Sequence, residues 1–236
     1  MARTHSILGI NSGALGDMIY YTRFGKTFVR HRAKTHNDCQ SEAQLRQRAL
    51  FKAIQRTSAL FGTILQRGLT KYAHSQGHTE ANEFARLNKR HFVYENGMVQ
   101  IDYPTLRVAR GPLTAVEFTS RHVEGPHVTL TFTSEPTDSK CRPDDVVHIY
   151  VVAPRAEICE LVASEERQTG QVSFDLPDLR EEGSAPETYH LYAIVEAATT
   201  AHIPTLSAAE KQIDKKHRNI NRRVSKSVFV GSITLK

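Results

Sequence analysis

The chain has 236 residues, 39% of them apolar and 24% charged, which excludes a low-complexity or collagen-like chain and allows one large domain or two small ones. No stretch approaches the ~18 apolar residues that a membrane helix needs. The net charge of +6 is unevenly spread: residues 1–100 carry 15 Lys/Arg against 6 Asp/Glu, residues 101–209 carry 8 against 17, and residues 210–236 carry 8 against 2. A basic segment attracts polyanions, and such asymmetry points to nucleic acid or an acidic partner surface.

The first predicted element is a β-hairpin. MIYYT and KTFVR are β-branched and aromatic, and Gly25 suits a tight turn. With Arg23-Phe24-Gly25 as a three-residue loop, Ile19, Tyr21, Thr27 and Val29 share one face, and Met18, Tyr20, Lys26, Phe28 and Arg30 share the other. Gly25-Lys26-Thr27 also resembles the end of a phosphate-binding loop. That loop needs a glycine five positions earlier and a helix after it, whereas this chain has Tyr20 and a strand-like TFVRHRA. Gly13 and Gly16 in SGALGD mark a turn or a close backbone approach.

Ser41-x-x-Gln44 is a capping box, and Leu45, Ala49, Ala53, Ile54, Leu60, Phe61, Ile64, Leu65 and Leu69 recur at helical spacing. The pattern predicts a long helix over about 42–72, bent at Gly62 or stopped near Gly68. Arg46, Arg48, Lys52 and Arg56 decorate its outer side. A second helix is predicted over Glu80–His91, with Thr79 as its N-cap.

From residue 98 the period changes to short, alternating runs separated by Gly, Pro and Asp turns: MVQIDY, TAVEFTSR, HVTLTFTS, DDVVHIYVVA, ICELVAS, GQVSFDL, TYHLYAIVEA and SKSVFVGSITL. Seven or eight strands at this spacing predict an antiparallel β-sandwich of immunoglobulin or fibronectin type III architecture. The expected fold class is therefore α+β. A hairpin and two-helix module occupies residues 1–97, and a sandwich occupies residues 98–236, with a long basic loop near 200–225. That loop carries Lys211, Lys215, Lys216, Arg218, Arg222 and Arg223, and loops this long are commonly functional or disordered.

No catalytic constellation is evident: the G-x-S-x-G elbow, H-E-x-x-H and the dinucleotide fingerprint are all missing, so no enzyme activity and no cofactor are expected. His31, His36 and Cys39 lie close together but match no zinc spacing, so no metal is expected either. Asp17, Asp144 and Asp145 read as turn residues. The odd cysteine count, Cys39, Cys141 and Cys159, argues against a disulfide framework. The start, MARTHSILGINSG, has only a short apolar run, so a cytoplasmic protein, or one incorporated in a particle, is expected.

The basic features are the stronger lead. Tyr20 and Phe28 are interleaved with Arg23, Lys26 and Arg30, and Arg32 and Lys34 continue the run. Aromatics among cations can stack bases and hold phosphates. Arg46, Arg48 and Lys52 on the helix and Lys215, Lys216, Arg218, Arg222 and Arg223 in the late loop would extend one surface if they converge. The competing account is that the tyrosines pack against the helix and the cations serve solubility.

Gly13 and Gly16, then Gly25-Lys26 with Val29-Arg30, then Ser41, Ala43-Gln44, Gln47-Arg48 and Phe51, followed by DDVVHIYVV and SVFVGSITL, resemble an uncharacterised family common in Bacteroidota. The resemblance implies the architecture and no activity. It departs at THNDCQ, where relatives carry a Lys/Pro-rich linker, at Ser41 in place of Thr, and in a longer late insert. The hairpin and A-Q-x-x-x-R helix start are also similar to segments of phage and prophage proteins. Two functions follow as expectations: a non-enzymatic structural or protein-interaction role, with a protein partner or self-association, and nucleic-acid binding as the alternative.

Overall fold

The computed structural model describes residues 2–3, 12–23, 26–33, 40–134, 141–178, 186–198 and 224–234. The chain opens with a four-stranded antiparallel sheet of β1 (Ala2–Arg3), β2 (Gly13–Leu15), β3 (Met18–Arg23) and β4 (Lys26–His31), in the order β1-β4-β3-β2. The β3–β4 register pairs Arg23 with Lys26, Thr22 with Thr27, Tyr21 with Phe28, Tyr20 with Val29 and Ile19 with Arg30. Two residues therefore separate the strands instead of the expected three, and every β4 side chain changes face relative to β3. One face carries Ile19, Tyr21, Arg23, Lys26, Phe28 and Arg30, and the other carries Met18, Tyr20, Thr22, Thr27, Val29 and His31. The register brings two rings opposite each other, since Tyr21 and Phe28 stack at 5.6 Å and 22°, and such cross-strand pairs stabilise a sheet.

The helical region starts where the capping box lies. Ser41 Oγ accepts from the Gln44 amide at 3.4 Å, opening α1 (Glu42–Leu60). The expected 42–72 helix is three segments: α1, α2 (Gly62–Gly68) and α3 (Thr70–Ser75). Backbone bonds run through both breaks, from Phe61 to Thr57 at 3.0 Å and from Leu69 to Leu65 at 2.8 Å, so the chain bends without leaving the helical path. Thr79 caps α4 (Glu80–Asn88) through the Asn82 amide at 3.3 Å. This helix ends three residues before the expected His91. The Asn88 amide group turns inward to donate to the Phe84 and Arg107 carbonyls at 3.0 and 2.9 Å, and its oxygen accepts from the Arg107 amide at 2.7 Å. A 3-10 turn at Lys89–His91 follows. Then β5 (Phe92–Glu95) and β6 (Met98–Ile101) form a hairpin across Asn96 and Gly97, both at positive φ. The expected boundary at 97/98 lies within this hairpin.

Seven of the expected strands build two facing antiparallel sheets. One has the order β11-β8-β7, from β7 (Phe118–Glu124), β8 (His127–Phe132) and β11 (Gln171–Asp175). The other has the order β10-β9-β12-β13, from β9 (Val146–Ala153), β10 (Ile158–Glu166), β12 (Thr188–Glu196) and β13 (Val228–Thr234). Val128, Leu130, Phe132, Val172 and Phe174 meet Val147, Ile149, Val151, Leu191 and Val195 between them. Alternation along β9 and β12 sends Tyr150, Val152, Tyr192 and Ile194 to the opposite face, where Phe61, Leu65, Leu69 and Phe84 of the helices cover them. Phe61 touches Phe84 and Tyr192 with ring centroids 6.0 and 5.3 Å apart. The architecture is thus α+β, with three layers: three strands, four strands, helices. Being buried on both faces explains why β9 and β12 read as nearly continuous apolar runs.

The segment 106–113 threads between helix and sheet. Arg110 N donates to Gly68 O at 3.0 Å, Val108 N to Ser227 Oγ at 3.0 Å and Leu113 N to Val224 O at 3.2 Å. A Cβ on Gly68 would lie 2.6 Å from both Ala109 Cβ and Val108 O, and one on Gly111 would run into the Val224 carbonyl. Both glycines are approach points for another backbone.

Candidate functional site

The hairpin cations are brought together, but on a face other than the expected one. Arg23, Lys26 and Arg30 are exposed and share the face of the half-buried Tyr21–Phe28 stack. Tyr20, expected beside Phe28, lies on the opposite face with Val29, and its hydroxyl points back toward Met18 Sδ at 3.9 Å. Neither β3 nor β4 contains an Asp or Glu. Arg32 follows β4, is exposed, and donates its amide to Asp17 O at 2.7 Å. Among the described residues of β2, β3 and β4 none is buried, although they include Leu15 at 73% and Met18 at 40% exposure.

The helix cations divide. Arg46 places its guanidinium 5.9 Å from the Tyr94 ring of the β5–β6 hairpin, a cation–π distance. Arg48 is exposed on α1. Lys52 lines an open groove of about 760 Å³ between α1, β6 and the β9–β10 turn, together with Arg56, Tyr103, Arg155 and Glu157. Arg56 Nε donates to Glu157 Oε1 at 3.0 Å, so one of the three groove cations is already engaged by the carboxylate. Tyr103 is stacked on His190 at 4.4 Å, and burial lowers the His190 pKa to about 4, leaving a neutral imidazole. Lys34, Lys215, Lys216, Arg218, Arg222 and Arg223 lie outside the described residues, as do His36, Cys39 and nearly all of the late basic loop.

Three polar clusters, each built around a buried side chain, were not assembled from the sequence. His148, Ser164 and Glu196 lie on adjacent strands with Arg67 of α2 against them. His148 Nδ1 is 2.8 Å from Ser164 Oγ, and its Nε2 is 2.7 Å from Arg67 Nη1 and 3.3 Å from Glu196 Oε2. A serine–histidine–carboxylate set suggests a nucleophile. However, a guanidinium can only donate, so Nε2 is the acceptor toward Arg67 and Nδ1 is left to donate to Ser164. Ser164 is then the acceptor, and His148 does not take its proton. The second cluster centres on Glu83, fully buried at the α4 N-terminal turn, where Arg86 and Arg110 donate to its two oxygens at 3.3 and 3.2 Å. Arg110 also lies 4.0 Å over the Tyr72 ring. In the third, Asp145 Oδ2 accepts from the Arg142 amide at 2.9 Å, a local turn bond of the kind expected. Burial raises the Asp145 pKa, against the pull of Arg167. Arg167 Nη2 reaches Thr114 O at 2.5 Å.

Among the described residues no group of three or more His, Cys, Asp or Glu side chains is placed to hold a metal. Among the same residues no helix is long and apolar enough to cross a membrane. One contact the sequence did not signal ties the two sheets: Tyr189, at the start of β12, donates its hydroxyl to Pro177 O, just after β11, at 2.9 Å. Compared with known proteins, residues 10–194 match the model of a family described as a family of unknown function (DUF6266). No curated protein and no solved structure matches the chain.

Proposed function

The chain belongs to this family of unknown function, and from that premise we propose that it is a non-enzymatic interaction protein, with the helix-backed sandwich as carrier and the N-terminal sheet as docking element. One observation carries the reading: β2–β4 hold Leu15, Met18, Tyr20, Tyr21, Phe28 and Val29, yet none of these is buried. A small sheet needs a covered apolar face for stability, and apolar surface left open on a folded chain favours contact. The face with Met18, Tyr20 and Val29, next to Leu15 on β2, carries no side chain of fixed charge and suits a second copy of the chain. The sandwich supports the same reading. Its β11-β8-β7 and β10-β9-β12-β13 orders fit the fibronectin type III pattern, and edge strands of such sheets can accept a partner strand. The likeness of the N-terminal motifs to phage and prophage segments supports a place in a virion-type or mobile-element assembly, as a cytoplasmic or particle-borne protein.

Sedimentation velocity of the full chain at concentrations around micromolar tests this. Self-association is expected, weakened several-fold by Leu15→Ser and Met18→Ser while the thermal transition of the body is retained. A strict monomer throughout the range would remove self-association from the proposal.

A further inference from the structure

We infer that the Tyr21–Phe28 face of the N-terminal sheet binds single-stranded nucleic acid, with bases stacking on the two rings and phosphates held by Arg23, Lys26 and Arg30. The inference rests on the reading of that sheet as the docking element, and it assigns the face that self-association leaves open.

The register is the first argument. It sorts the three strand cations of β3 and β4 onto one face, around a stacked aromatic pair, and leaves the opposite face with Thr22, Thr27 and His31 as its polar members. Had the residues served solubility alone, nothing would require them to segregate with the rings. The second argument is charge. The face is built from strands that contain no carboxylate, within a 100-residue segment that carries 15 Lys/Arg against 6 Asp/Glu. The exposed Lys26 and Arg30 toward the two ends of β4 therefore favour an anionic occupant. The third is shape. Along β4, alternate residues are ~6.8 Å apart, so Lys26, Phe28 and Arg30 form a cation–ring–cation row about two residue pairs long. Rings standing on a sheet can stack with bases that are unpaired and splayed, but they cannot enter a paired duplex. An acidic protein surface would meet the cations but offers no flat groups to stack on the rings, so the nucleic acid is the better-fitting occupant.

Fluorescence anisotropy of the full chain with a labelled oligothymidylate, the same-length duplex and polyglutamate, over a series of salt concentrations, tests the assignment. Binding is expected to favour the single strand. Tyr21→Leu and Phe28→Leu, which keep apolar bulk, should each weaken it between about fivefold and a hundredfold, the range of one lost base–ring stack. Tyr21→Phe should bind like the parent protein. Arg30→Gln should lower the salt slope by about 0.7, one phosphate contact on a single strand. Tyr20→Leu, on the other face, should change nothing. The inference is overturned by absence of binding at low salt, by polyglutamate binding as well as the oligonucleotide, or by Tyr20→Leu costing as much as Tyr21→Leu. Circular dichroism of each variant guards against loss of the sheet itself. Sedimentation of the same samples separates the two levels: self-association without oligonucleotide binding defeats this inference alone, whereas loss of both defeats the docking role of the sheet.

Discussion

Gly68 shows how a single residue joins the layers. In the sequence it looks like a helix stop, and α2 does end there. Its larger role is steric, because the 107–110 backbone passes against it and Arg110 N bonds its carbonyl at 3.0 Å. Replacing a helical glycine by alanine ordinarily gains ~1 kcal/mol. At Gly68 the new methyl would sit 2.6 Å from Ala109 Cβ and from a backbone oxygen, and overpacking of this kind costs ~1–3 kcal/mol. Gly68→Ala is therefore expected to destabilise by about 1–2 kcal/mol in urea unfolding. Gly62→Ala, where nothing lies within 4 Å of the built Cβ, should stabilise by ~0.5–1 kcal/mol. Equal effects at the two sites would contradict the close-approach argument. The pair also marks what a linear pattern cannot carry. Both glycines interrupt the same helical periodicity, and only the long-range partner at 108–109 separates them.

Among elements, legibility followed the range of the forces involved. The caps at Ser41 and Thr79 and the seven sandwich strands were readable, because capping and two-residue alternation are local. The β5–β6 hairpin was readable too, from Asn96-Gly97 between FVYE and MVQI, the strongest short hairpin signal. The change of period at residue 98 drew the boundary through it instead. The β3–β4 register was not readable. Loop lengths of two and three around Gly25 are both plausible by composition, and one residue decides which side chains share a face. The candidate site was accordingly half legible: its cations were identified, but Tyr20 stood in for Tyr21. A double-mutant cycle separates the two registers. Tyr21→Ala with Phe28→Ala should show a coupling of about 0.5–1.5 kcal/mol, as opposed rings do, and Tyr20→Ala with Phe28→Ala should be additive within about 0.5 kcal/mol. Coupling in the second pair and additivity in the first would restore the three-residue loop.

For the whole molecule, the question is whether residues 98–236 can stand without what precedes them. Strand count alone suggests that they can, since a seven-stranded sandwich has its own core between the sheets. The second core argues otherwise. Tyr150, Val152, Tyr192 and Ile194 point away from that sandwich interior and are 2% exposed or less, under a cover that includes Phe61, Leu65, Leu69 and Phe84. Removing the helices would open this face, and each large apolar side chain brought to water costs roughly 1.5–3 kcal/mol. Four such residues reach the scale of a domain's entire stability, about 5–15 kcal/mol. Deleting residues 1–97 should thus give an aggregating or non-cooperatively melting product. Deleting residues 1–33 removes β1–β4, among whose described side chains none is buried, and should leave the body's thermal transition where it was. Calorimetry of both deletions distinguishes the cases. A sharp, reversible transition for 98–236 alone would mean that the helices cover a sheet able to fold bare. Its absence, with the 34–236 chain intact, would place the folding unit at the helix–sheet core and leave the N-terminal sheet free to serve partners.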